Sequence, residues 1–98
     1  MSLTVNSIVV REPGLSATEV DGRIVVLSLQ AASYFDLNKV ASEIWGMLSE
    51  PRRVEDILHE LSLHHDVDTE TMTRDVMNFL QSLLAQHLVR VVAVEDAR

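Results

Sequence analysis

The side chains here that are equipped for chemistry are four histidines, a scatter of serines and many carboxylates. His59, His64, His65 and His87 invite a metal reading first. A zinc-protease helix needs two histidines four residues apart, with a glutamate beside the first as base. His59-Glu60 is followed at that spacing by Leu63, and His64 points elsewhere. The chain has no cysteine, and Asp66 and Asp68 are the nearby carboxylates, so no metal site is expected. Histidines near helix ends read instead as solvated groups, because a partial positive charge suits a helix C-terminus. Acyl or phosphoryl transfer fares no better. There is no G-x-S-x-G, no glycine-rich phosphate loop among three glycines in all, and no paired acid beside an obvious histidine. The expectation is a protein that is not an enzyme and carries no cofactor.

Charge narrows the partners. Fifteen acidic residues stand against eight basic ones, a formal charge of −7. Binding to nucleic acid draws most of its affinity from Lys and Arg neutralising phosphates, and the few cations here are not gathered on one stretch. DNA, RNA and anionic membrane are disfavoured. Ninety-eight residues, 47% of them apolar, make one domain with a core but little room for a deep catalytic cavity. The absence of cysteine excludes a disulfide framework. No apolar run is long enough to span a bilayer, and the N-terminus lacks the regions of a signal peptide. A soluble, cytoplasmic protein is expected.

The elements that would position any site follow from pattern. Ser7–Arg11 reads as a strand, broken by Glu12-Pro13-Gly14. Residues 17–20 lead into Asp21-Gly22, a strong hairpin signal, and the β-branched run 23–29 returns as a central strand. Gln30-Ala31-Ala32 turns the chain into Ser33-Tyr34-Phe35-Asp36-Leu37, which alternates like a strand. The N-terminal third is therefore expected to form an antiparallel sheet of about three strands. From Asn38 the period changes. Val40, Ile44, Met47 and Leu48 mark one amphipathic helix, with Asn38 as its cap, and Pro51 ends it. Val54, Ile57, Leu58 and Leu61 mark a second helix, running to about His64. Met72, Val76, Phe79, Leu80 and Leu83 mark a third over roughly 70–87, capped by Asp68 or Thr69. Residues 88–94 could form a last short strand. Strands followed by helices make an α+β, winged-helix-like fold.

Such a fold leaves sheet edges that need cover or a use. A winged-helix DNA-binding regulator is the alternative reading. Its recognition helix, however, would fall in residues 66–87, where Asp66, Asp68, Glu70 and Asp75 outweigh Arg74. A peptide strand added to the edge at Ser33–Leu37 fits better, with apolar side chains held in a groove toward the third helix.

The stretch "GRIVVLSLQAASYFDLNKVASEIWGMLSEPRRVEDILHEL", followed by "DVMNFLQSLLAQHLVRV", resembles the PqqD-like recognition elements of ribosomally made, modified peptides. Among these it is most similar to the stand-alone leader-binding subunit of split lasso-peptide proteases. The likeness spans about residues 5–92 and rests on "YFDLN" entering the first helix, Ile44-Trp45, "V-x-D-I" opening the second helix and "D-V-x-x-F-L-x-x-L" in the third. The resemblance implies a single leader-peptide-binding domain over residues 1–98. Its partners would be the precursor leader, a separate cysteine-protease subunit that removes the leader, and a cyclase. By position it implies that Ser33, Tyr34, Phe35, Asp36 and Leu37 supply the pairing backbone. Asp75, Val76, Phe79 and Leu83 would line the helical side, with Asn78 as a polar contact. Tyr34 is preferred to Phe35 as a side-chain contact, while Met72, Leu80 and Trp45 are assigned to the core.

Overall fold

The structure is a computed structural model that describes residues 3–30 and 32–94. Along the chain run β1 (Ser7–Arg11), β2 (Ser16–Val20), β3 (Arg23–Ser28), β4 (Ser33–Leu37), α1 (Lys39–Met47), β5 (Arg52–Arg53), α2 (Val54–His64), α3 (Thr69–Ala85) and β6 (Val89–Val94). The α+β, winged-helix-like expectation holds, with a three-stranded antiparallel sheet ordered β2-β3-β4 and three helices. Local pattern did not show the second antiparallel sheet, ordered β5-β1-β6. β1 leaves the N-terminal hairpin and pairs along its length with the last strand, while Arg52 and Arg53, just past the helix-ending Pro51, cover its other edge. The break at Glu12-Pro13-Gly14, with Gly14 at φ 84°, turns β1 away from β2. Val9 and Val89 can then sink into the same core. Of the turn expected at Gln30-Ala31-Ala32, Ala31 lies outside the described residues.

Caps and turns are where the sequence placed them. Asn38 accepts a hydrogen bond from the Ala41 N–H, and Asp68 accepts one from the Thr71 N–H. Asp21 and Gly22 both have positive φ, 52° and 80°, as a two-residue type I′ hairpin requires. The core is one cluster in which Trp45, Ile44, Leu48, Ile57, Leu61 and Leu80 are the largest fully buried side chains. α1 has no basic residue in its last turn, and β1 supplies one. Arg11 Nε donates to the Trp45 carbonyl at 2.9 Å, and its guanidinium lies 4.9 Å from the centre of the Trp45 ring. Burial lowers the Arg11 pKa below its ordinary value without discharging it.

A hydroxyl ties the β2-β3-β4 sheet to α1. Ser42 Oγ accepts from the Ile24 N–H at 2.8 Å and donates to the Leu37 carbonyl at 3.1 Å, bridging the end of the β3–β4 ladder. Ser42→Ala leaves both backbone groups without this partner, at a cost of about 1–3 kcal/mol. Thermal melting should fall by several degrees, and an unchanged midpoint would show that the bridge contributes nothing.

Candidate peptide-binding edge and hollow

The direction of the backbone groups on β4 follows from the hairpin. A two-residue turn closes on a hydrogen-bonded pair, here Val20 and Arg23, so Arg23, Val25 and Leu27 aim their backbone groups at β2. Ile24, Val26 and Ser28 must then face β4, as the Ser42 bridge from Ile24 to Leu37 also requires. Their partners on β4 are Leu37, Phe35 and Ser33. Tyr34 and Asp36 therefore turn their N–H and C=O groups toward the other edge, and among the described residues no strand pairs there.

Side chains alternate with the same period. Val26, Phe35 and Leu37 face inward, whereas Leu27, Tyr34 and Asp36 face out. Tyr34 is 71% exposed on this outer face, beside Leu27 across the ladder. Asp36 pairs with Arg23 Nη2 at 2.9 Å, both side chains about half exposed.

Where β4 ends and α1 begins, an apolar hollow of about 420 Å³ opens between α1, the α2–α3 turn and α3. Ile44, Leu61, Met72 and Val76 form its buried floor. Asn38, Val40, His65, Val67, Asp75 and Phe79 form the rim. His65 is held there by Glu43 of α1, its Nε2 lying 3.2 Å from Oε1, while His64 Nδ1 lies 3.6 Å from the other carboxylate oxygen. These two histidines are at the end of α2, as expected; His65 joins α1 through Glu43, whereas His64 keeps about half of its side chain exposed to water. Among the described residues no group of three His, Asp or Glu side chains is disposed to hold a metal ion.

The structure thus brings together only some of the residues singled out from the sequence. Asp75, Val76 and Phe79 line the hollow. Ser33 to Leu37 form the adjoining strand but do not line it, and Tyr34 points to the opposite face, so any contact it makes with a guest lies outside. Leu83 is 4% exposed, within the core cluster, and Asn78 is exposed on α3 away from the hollow. Leu80 and Trp45 are core, as assigned, but Met72 also forms part of the floor. Not singled out for a site from the sequence were Asn38, Val40, Ala41, Ile44, Leu61, His65 and Val67. Val67, an apolar residue isolated between Asp66 and Asp68, was the legible signal.

Residues 23–89, which hold the hairpin return, β4 and all three helices, match the family model described as Coenzyme PQQ synthesis protein D (PqqD). The chain belongs to the PqqD family. Comparison with curated proteins gives no match. Among solved structures, this PqqD-family chain is similar to TbiB1 in complex with the TbiA(beta) leader peptide. The two are 31% identical, the match covers 89% of this chain and 99% of that one, and the TM-score is 0.76. It is also similar to a lasso peptide synthetase B1 complexed with the leader peptide, at 22% identity, 84% and 96% coverage and TM-score 0.74. A third likeness is to the PqqD truncation of Methylobacterium extorquens PqqCD, a stand-alone recognition element for ribosomally synthesised, modified peptides. There the identity is 16%, the coverage 91% and 95%, and the TM-score 0.76. The last two carry the fold alone.

Proposed function

We propose that this PqqD-family chain binds the leader segment of a lasso-peptide precursor and presents it to a separate cysteine-protease subunit, upstream of a cyclase. It performs neither reaction itself and works as a single domain over residues 1–98. The observation that carries this reading is the open edge of β4, with the backbone groups of Tyr34 and Asp36 unpaired by any described strand, ending beside an apolar hollow. The leader adds as a fourth strand to β2-β3-β4. Residues of the guest opposite Phe35 and Leu37 turn inward toward the hollow, and those opposite Tyr34 and Asp36 turn outward. The TbiB1 complex with its leader peptide, at 31% identity, supports the class of ligand.

Magnitudes assign the work. Four backbone hydrogen bonds at about 0.5–1.5 kcal/mol each do not by themselves overcome an association cost of about 4–15 kcal/mol. Two apolar anchors buried in the hollow contribute about 1.5–3 kcal/mol each, so the hollow decides both affinity and choice. Among the described residues β2 also has only one partner strand, but the depression nearest its start, about 730 Å³, is bordered by Glu12, Gln30, Gln86 and His87 as well as Leu15 and Leu29. The DNA-binding alternative finds no support, since Glu70 and Asp75 stand exposed on α3. Among the described residues no helix is long and apolar enough to cross a membrane. Fluorescence anisotropy with the labelled leader encoded beside this gene should show saturable binding at micromolar concentration or below. A flat titration would contradict the proposal.

A further inference from the structure

We propose that Asp36 selects a positively charged side chain on the bound peptide, at the outward position directly opposite it. The inference rests on the strand-addition reading and adds to it a chemical identity for one ligand position. In an antiparallel or parallel addition alike, a guest residue facing Asp36 across the edge shares its face of the sheet, because side chains alternate with period two. Directly opposed residues bring their Cβ atoms to about 4.5–5.5 Å, within which opposite charges attract and like charges repel. The Asp36 carboxylate stands on this outer face, half exposed, and is not committed to a buried role.

Arg23 weakens the preference without reversing it. It is the only cation on β2, β3 and β4, and it sits on β3, on the far side of β4 from the guest. Strand spacing places the guest backbone about 5 Å from that of Asp36 and roughly 10 Å from that of Arg23, whose guanidinium nevertheless reaches across to the carboxylate. Arg23 Nη2 engages one carboxylate oxygen, Oδ1, at 2.9 Å and so orients the group, while the carboxylate retains further acceptor sites. The neighbouring outward position is different. Tyr34 and Leu27 form an apolar tile there, so the guest residue opposite Tyr34 meets a ring rather than a charge.

The test uses three eight-residue peptides with Val, Tyr and Leu at alternate positions and Lys, Gln or Glu at every position between. Any register that turns the apolar residues inward then presents the variable residue to Asp36. Binding is read by anisotropy at low ionic strength against the wild-type chain, Asp36→Asn, Arg23→Gln and Glu19→Gln. Glu19→Gln makes the same charge change as Asp36→Asn, but on β2 at the opposite edge of the sheet. With the wild type, the Lys peptide should bind about fivefold to tenfold more tightly than the Glu peptide, with Gln between. Asp36→Asn should remove most of that preference, Arg23→Gln should steepen it, and Glu19→Gln should leave it intact. An undiminished preference in Asp36→Asn overturns the proposal. So does an equal loss in Glu19→Gln, which would show only the general field of an acidic protein. Should none of the three peptides bind the wild type, or should Tyr34→Pro bind them as tightly as the wild type does, strand addition itself fails and the selectivity falls with it.

Discussion

Phe79→Ala should weaken leader binding by about tenfold to a hundredfold while the protein stays folded. Phe79 stands at the rim of the hollow, partly buried, packed against the core from outside. Its ring supplies wall area that an apolar anchor of the guest would cover, and burial of a side chain of that class is worth about 1.5–3 kcal/mol. Leu80, its neighbour in sequence, has no exposed surface and does not line the hollow. Leu80→Ala should therefore cost about 2–5 kcal/mol of stability. That is a large share of the roughly 5–15 kcal/mol a domain possesses. Any molecules that remain folded should keep near-normal affinity. Paired measurements of leader affinity and urea unfolding on the two variants separate the roles. Equal loss of affinity and stability in both would remove Phe79 from the site.

Tyr34→Pro should abolish binding with the fold intact, whereas Phe35→Pro should damage the fold. Proline has no N–H, and its ring occupies the space where a partner's carbonyl would approach. At Tyr34 the missing N–H faces the open edge, a position where an edge strand tolerates proline. At Phe35 the missing N–H faces Val26 in the ladder, so a core-side hydrogen bond disappears, at a cost of about 1–3 kcal/mol before the lost packing of the ring is counted. Tyr34→Ala separates backbone from side chain and should retain most of the affinity. The checks are thermal melting of each variant and anisotropy with the leader. Tight binding by Tyr34→Pro would mean that the peptide does not pair at this edge.

Much of this arrangement could be read from local chemistry. Asn38, Asp68 and Asp21-Gly22 are caps and a turn whose side chains or φ values act within a few residues, and the helical stripes of α1, α2 and α3 carry a clear period. The pairing of β1 with β6 was not legible, because it joins the two ends of the chain and neither strand names its partner. The parity of β4 was also open in the sequence. Tyr34 and Phe35 are both large and aromatic, and only pairing with Val26, which is wholly buried, turns Phe35 inward. The sequence points to a groove between Ser33–Leu37 and the third helix, whereas the hollow opens at Asn38, past the end of β4; its floor is assembled from Ile44, Leu61 and Met72 on three separate helices, and no single stripe reveals such a convergence. Glu43 bringing His64 and His65 together is of the same kind, a contact across 21 and 22 residues.

Amide hydrogen exchange, resolved residue by residue with and without saturating leader peptide, tests most directly whether a guest strand completes β4. The N–H groups of Tyr34 and Asp36 should exchange at least about tenfold more slowly in the complex, while that of Phe35, already in the ladder, changes little. Saturated binding that leaves Tyr34 and Asp36 exchanging at their free rates would contradict strand addition.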